Sequence, residues 1–260
     1  MKVAILAGGR GTRLGVETEV RPKPMVEVGP QPILWHIMKI YAAQGFDEFV
    51  LALGYLGEQI KRYWLDYSIA SSDLTIHTGE NRTEFHPRGT PDAWTVTCVE
   101  TGLKTNTGSR VKLLQPWIGD ETFMLTWGDG VADIDLQKLL EFHRSHGKIA
   151  TVTAVRPPAR FGHLQFEGDR VAEFSEKPQT AEGWINGAFF VLEPRVFDYI
   201  DGGDDRVSWE TGPMYALARE GELMAYRHEG FWQCMDTPRD KKRLETLWAS
   251  GEAPWKIWKD

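Results

Sequence analysis

Four consecutive apolar residues, Val3, Ala4, Ile5 and Leu6, open the chain with no polar alternation among them. A run of that kind predicts a strand buried on both faces, as in a parallel sheet covered by helices. Helical spacing of apolar positions follows over Pro32 to Gln44 and ends near Gly45, and Glu48 to Leu53 is a second strand-like run. Gly57 to Tyr67 returns to helical spacing. The alternation continues with an extended Trp94 to Glu100, a helix over Thr105 to Leu114 with Thr107 as its candidate cap, and a buried strand at Thr122 to Thr126. Strands alternating with helices in this way predict a parallel sheet flanked by helices.

The second half is less regular. Asp135 to His146 predicts a helix, Ile149 to Val155 a strand, and Phe161 to Phe174 a hairpin turning at Gly168-Asp169. Strands at Trp184 to Leu192 and Leu223 to His228 bracket a helix at Glu210 to Glu220. Pro238 to Ala249 closes as a helix with proline in its first turn. Residues 79–93 are polar, with Gly and Pro, and predict a loop or excursion. No repeat, low-complexity stretch or linker divides the chain. The pattern predicts an α/β fold: a single Rossmann-like domain, residues 1–260, with a mixed, mainly parallel sheet, whose C-terminal segment returns to the site.

The first strand breaks into Gly8, Gly9 and Gly11, where backbone can approach a ligand closely, and Arg10, Arg13 and Lys23 bring positive charge to the same loop. Backbone N–H groups in such a turn form an anion-binding concavity that fixed cations strengthen. Phosphate is the indicated ligand. The loop is not a P-loop, because no Gly-Lys-Ser/Thr follows, and Leu14 stands where a dinucleotide fingerprint needs its third glycine.

Bulk properties narrow the class. A formal net charge of −7 argues against general nucleic-acid binding and leaves the basic N-terminal loop for a small anionic ligand. Two cysteines, Cys98 and Cys234, make neither a disulfide framework nor a metal cluster and predict a reducing, cytoplasmic setting. Met1 leads straight into the first strand, which predicts no signal peptide, and no apolar run approaches membrane-spanning length. Of the seven histidines, His77, His86 and His163 show no metal-ligand spacing; His36 falls on a helix and reads as a packed residue.

Several further positions carry chemistry. Asp129 lies between Gly128 and Gly130 just after a buried strand, where ligands of open α/β sheets bind, which places it to face the site; a carboxylate that caps the turn is the lesser reading. Asp236, read alone, is a candidate N-cap for the last helix. Glu176-Lys177-Pro178 follows a strand-like Val-Ala-Glu-Phe-Ser, and Asn186-Gly187 interrupts an apolar strand.

The loop Gly8-Gly9-Arg10-Gly11-Thr12-Arg13-Leu14 with Arg21-Pro22-Lys23-Pro24-Met25, then Asp129, Glu176-Lys177-Pro178, Asn186-Gly187 and Asp236, resembles in order the motifs of the sugar-1-phosphate nucleotidyltransferases. The resemblance implies that Leu6, Ala7, Gly8, Gly9, Arg10, Gly11, Thr12 and Gly128 cradle a nucleoside triphosphate whose charge Arg13 and Lys23 neutralise. It further implies that Asp129 and Asp236 hold Mg²⁺, that Glu176 and Lys177 meet the sugar phosphate, and that Asn186 and Gly187 face the sugar hydroxyls. Arg13, Lys23, Asp129 and Lys177 are the implied catalytic residues. The nucleotide-binding half would cover about residues 1–130 and the sugar-phosphate half about 131–260. Three positions depart mildly from the family pattern: Ala188 replaces a common second glycine, Cys234 a common proline and Arg21 a common lysine.

Pro32 to Met38, Glu80-Asn81-Arg82, Trp94 with Thr101-Gly102, and Ala253-Pro254-Trp255-Lys256 resemble those family members that use CTP and α-D-glucose 1-phosphate. That closer likeness implies Thr105 and Arg110 as further CTP contacts, and a homo-oligomer, with a hexamer as one candidate state. UTP, dTTP or GTP in place of CTP, and a catalytically silent binding subunit, stand as alternatives. A dinucleotide-dependent oxidoreductase is disfavoured by Leu14.

Overall fold

The computed structural model describes residues 1–89, 92–157, 163–167, 170–175 and 183–259. Seven strands make the central sheet: β1 (Lys2–Leu6), β2 (Glu48–Leu53), β3 (Thr95–Glu100), β4 (Phe123–Trp127), β5 (Ala150–Val155), β6 (Ile185–Leu192) and β7 (Leu223–His228). They lie in the order β7-β5-β6-β4-β1-β2-β3. Only β6 runs against its neighbours; every other adjacent pair is parallel. The sheet is therefore mixed and mainly parallel, as the apolar runs predict.

Period-two geometry sends alternate residues of β1 to opposite sides of the sheet. Val3, Ile5 and Ala7 enter one core with helix α1 (Ile33–Ala42), and Ala4 and Leu6 enter a second, behind helix α3 (Thr107–Leu113). Between these two helices, α2 (Gly57–Leu65) follows β2. Helix α4 (Leu136–His146) comes after β4 in the chain, and helix α5 (Pro238–Ala249) after β7. The chain steps from β1 outward through β2 to β3 and then returns to the other side of β1 as β4. That reversal leaves a crevice beyond the C-terminal ends of β1 and β4, the place where open α/β sheets bind ligands.

Three local expectations are corrected. The polar stretch at 79–93 is not simply a loop: Arg82–Pro87 pairs antiparallel with Ser72–His77 as a two-stranded ribbon. Leu74, Ile76 and Phe85 on that ribbon are exposed, so no face is buried and the usual one-sided apolar signal is missing. At the start of α3 the cap is Asn106, whose side chain accepts from Thr107 N–H at 2.8 Å. Thr107 Oγ1 accepts from Trp209 N–H at 2.9 Å instead. At α5 the cap is Thr237, in a reciprocal box with Asp240, which leaves the Asp236 carboxylate free of capping duty. The hairpin His163–Glu167 with Arg170–Ser175 forms as predicted, while its turn at Gly168-Asp169 lies outside the described residues.

The last segment returns in two parts. Trp232–Cys234 pairs with Gly130–Ala132, which brings Asp236 to the crevice. Beyond α5, Trp255 and Trp258 pack with Trp248 around His36, on the far side of α1. His36 is fully buried, with Nε2 donating to Val28 O at 2.8 Å, so the packed reading of this histidine holds.

Candidate active site

The glycine loop leaves β1 at Leu6 and turns over the crevice. Of its glycines only Gly11 takes a positive φ, 63°, where a Cβ would be costly. A Cβ on Gly11 would also stand 2.7 Å from Lys23 Cβ, so this glycine lets the lysine stem lie beneath the loop. Thr18, buried below, donates from Oγ1 to Gly11 O at 3.1 Å. Pro22 and Pro24 fix φ on both sides of Lys23 and limit where it points.

A cavity of about 270 Å³ lies under the loop. Of the sequence-predicted site residues, Leu6, Ala7, Gly8, Gly9, Gly11, Arg13, Lys23, Thr105, Arg110, Gly128 and Asp129 line it. Pro24, Asn106, Thr107 and Trp127 line it as well; they flank predicted positions without a chemical signature of their own. Arg10 and Thr12 face a neighbouring hollow with Tyr55 rather than this cavity. Glu176 and Lys177 lie outside the described residues.

Arg110 forms the buried wall. Its guanidinium donates to Leu53 O at 3.0 Å, Thr101 Oγ1 at 2.6 Å and Gly8 O at 3.2 Å. None of these acceptors is a carboxylate, and burial pushes the Arg110 pKa down. An anionic ligand is thus favoured beside a largely buried cation that is bonded to neutral groups.

At the mouth, Lys23 Nζ meets Asp129 Oδ2 at 2.6 Å and Asp236 Oδ1 at 2.5 Å. Arg13 Nη1 binds the other Asp236 oxygen at 3.0 Å. Burial opposes the charge on Lys23, but the two carboxylates outweigh it and its pKa is raised. For Asp236 burial acts upward, and Lys23 and Arg13 together hold the pKa below the usual carboxylate value. The Cys234 thiol, 3.7 Å from Asp236 Oδ2, is pushed up to about 12 by burial and by the adjacent carboxylates, and stays protonated at neutral pH.

Asp129 and Asp236 are brought together by backbone. Met235 N–H donates to Asp129 O at 2.8 Å, continuing the short ladder of Gly130–Ala132 with Trp232–Cys234. Two hard oxygen donors facing one point suit Mg²⁺, which takes one or two carboxylates and completes its shell with phosphate oxygens and water. Among the described residues no cluster of three or more His, Cys, Asp or Glu forms, so a cation here would depend on ligand oxygens for the rest of its shell.

Asn186 and Gly187 lie across from this ladder. Trp232 Nε1 donates to Gly187 O at 2.8 Å, and a Cβ on Gly187 would stand 2.6 Å from Val155 Cγ1. Asn186 Oδ1 accepts from Ala188 N–H at 2.8 Å, steadying a residue with φ of 62°. Ala188 thus holds a left-handed backbone, which glycine adopts at less cost than alanine. Trp94, in contrast, packs against Phe49, Trp64 and Tyr67 at the sheet edge, away from the cavity.

Residues 2–237 match the family model described as Nucleotidyl transferase. The chain is 51% identical over 259 residues to glucose-1-phosphate cytidylyltransferases of Salmonella typhi and Salmonella typhimurium, covering 99% of this chain and 100% of each relative. A solved UDP-glucose pyrophosphorylase in complex with UDP-glucose superposes with a TM-score of 0.68 at 14% identity, covering 96% of this chain and 98% of that one. The last likeness speaks to fold alone.

Proposed function

Because the chain belongs to the nucleotidyl transferase family, we propose that it transfers a cytidylyl group from CTP to α-D-glucose 1-phosphate, giving CDP-glucose and pyrophosphate. The observation that carries this reading is the meeting of Lys23, Asp129, Asp236 and Arg13 at the mouth of the glycine-loop cavity, in a chain this close to cytidylyltransferases. The nucleotide occupies the half up to about residue 130, and the sugar phosphate approaches from the remainder, past Asn186 and Gly187.

The phosphate oxygen of the sugar phosphate attacks the α-phosphorus of CTP in line, and pyrophosphate leaves. A phosphate monoester has its second pKa near ~6, so the nucleophile is already ionised at neutral pH and no general base is needed. What opposes reaction is repulsion between two polyanions. A unit-charge pair about 4 Å apart repels by roughly 1 kcal/mol in water and about 4 kcal/mol at an effective dielectric near 20. Positioning and fixed positive charge therefore carry catalysis.

Each residue has a part in that. The loop from Leu6 to Thr12, Arg10 included, and Gly128 cradle the triphosphate with N–H groups and charge, and Thr105 and Arg110 contact CTP as well. Arg13 offsets charge developing on the α-phosphate and pyrophosphate, and Lys23 binds the triphosphate. Lys177, with Glu176, holds the sugar phosphate. Asp129 and Asp236 are the residues that would hold a divalent cation, Mg²⁺ in this reading, and the cation would supply polarisation of the α-phosphate.

A cytoplasmic homo-oligomer, with a hexamer as one state, belongs to the same reading. Exposed Leu74, Ile76 and Phe85 on the ribbon, with exposed Leu65 and Ile69 in the segment that precedes it, support association. Among the described residues no helix is long and apolar enough to cross a membrane. Incubation with CTP, α-D-glucose 1-phosphate and Mg²⁺, followed by ³¹P NMR, tests the chemistry. Paired diphosphate doublets of CDP-glucose are expected, and intact CTP after long incubation would contradict the reading.

A further inference from the structure

Lys23 is guided to its position from several sides. Its stem lies under Gly11, prolines flank its backbone, and Val26 N–H closes a turn on the Lys23 carbonyl at 3.1 Å. The ammonium reaches the point where Asp129 and Asp236 converge, and its side chain is only 11% exposed there. Of its three N–H donors, two are engaged by one oxygen from each aspartate.

A divalent cation would use those same oxygens. Mg²⁺ binds carboxylates at contact range, ~2.0–2.1 Å, and a dication beside an ammonium on the same atoms is strongly repelled. Lysine and metal therefore compete for the pair. The backbones that carry the two carboxylates are tied together by Met235 N–H donating to Asp129 O at 2.8 Å and by the adjoining ladder between Gly130–Ala132 and Trp232–Cys234. Lys23 has a flexible four-carbon stem and a compact head, so it is the group that can leave.

We propose that Lys23 is a displaceable counter-ion that keeps the Asp129–Asp236 pair closed to divalent cations until a triphosphate offers the ammonium another anion. This rests on the reading that the pair holds the metal. Nucleotide draws the lysine off the carboxylates, and the freed oxygens take the cation. By linkage, a cation on the pair drives the lysine toward nucleotide, so the two ligands bind with positive coupling through one side chain. The cation then joins the site together with the substrate whose charge it serves, and the pair is not held by stray divalent ions between turnovers.

The test is direct Mn²⁺ binding to the full chain, read from the EPR signal of free Mn²⁺, with and without an α,β-methylene analogue of CTP. Without nucleotide, Lys23→Met is expected to bind Mn²⁺ about tenfold or more tightly than wild type, a coupling of ordinary size. That gain should vanish when Asp236→Asn is added. Wild type should take up Mn²⁺ beyond what the analogue binds in solution only when the analogue is present, a result independent of how well the variants fold. Tight Mn²⁺ binding by nucleotide-free wild type, lost in Asp236→Asn, would overturn the counter-ion role and leave the metal reading intact. So would a Lys23→Met variant, folded by circular dichroism, that gains no affinity while wild type with analogue binds. Absence of Mn²⁺ from the aspartates in every form would overturn the metal reading and the proposal with it.

Discussion

Gly8 faces the Arg110 guanidinium so closely that a Cβ on the glycine would stand 2.6 Å from the arginine Cζ and nearer still to Nη1. Gly54 meets the same group, with a Cβ there 2.5 Å from Nη1 and 2.7 Å from Gly8 O. Neither glycine has a positive φ, so both are small to admit a cation and not to turn the chain. Gly9, one residue on, faces open space.

Gly8→Ala is therefore expected to displace Arg110, raise KM for CTP and cost about 1–3 kcal/mol of stability, as overpacking does. Gly9→Ala should leave stability within about 0.5 kcal/mol. Thermal melts with KM for CTP check both. Equal melts for the two variants would show that Arg110 is not confined by Gly8.

Thr237→Ala should cost about 1 kcal/mol, the ordinary worth of an N-cap, because its side chain accepts from Asp240 N–H at 3.2 Å within the capping box. Asp236→Asn should leave α5 intact and instead lower kcat about 10²-fold, by removing charge from the reacting centre. Melting temperature and kcat measured on both variants separate the cap from the site. A melt lowered chiefly by Asp236→Asn would return that residue to a capping role.

What the sequence shows and what it hides can be traced through these same residues. Val3 to Leu6 and Phe49 to Leu53 are buried on both faces, so their apolar runs announce strands with little ambiguity. The loop glycines and Lys23 stand out in the sequence as one basic, glycine-rich cluster, and the fold gathers Gly8, Gly9, Gly11 and Lys23 around one cavity. Asn106 and Thr237 each stand beside another capping-competent side chain, and composition cannot say which of two neighbours takes the N-cap geometry. The burial of Arg110 depends on two distant glycines, and the Lys23–Asp129–Asp236 meeting on a ladder joining segments about a hundred residues apart. Contacts of that kind belong to the fold and leave no local mark.

His36 predicts a pH dependence of stability. Burial lowers its pKa from 6.5 to about 4, so below 6.5 the unfolded chain binds a proton that the folded one refuses. Stability contributed by the neutral imidazole is complete above pH 6.5 and is lost as pH falls toward 4, by about 3 kcal/mol in all. Urea unfolding at stepped pH measures this. His36→Gln should flatten the profile across that window, and an unchanged slope would assign the effect elsewhere.

Lys177→Ala is expected to raise KM for the sugar phosphate about tenfold or more, the scale of a lost charge-assisted hydrogen bond, while CTP binding survives. Isothermal titration with CTP beside steady-state kinetics in glucose 1-phosphate makes the comparison. Equal weakening of both ligands would count against its assigned part.

The central claim is most directly tested by pyrophosphate release with each nucleoside triphosphate in turn, with and without α-D-glucose 1-phosphate and Mg²⁺. The account predicts release with CTP, dependent on both the sugar phosphate and the metal, and little with UTP, dTTP, GTP or ATP. Equal release with another triphosphate would contradict the assigned nucleotide while leaving the chemistry in place. No release with any of them would contradict catalysis itself.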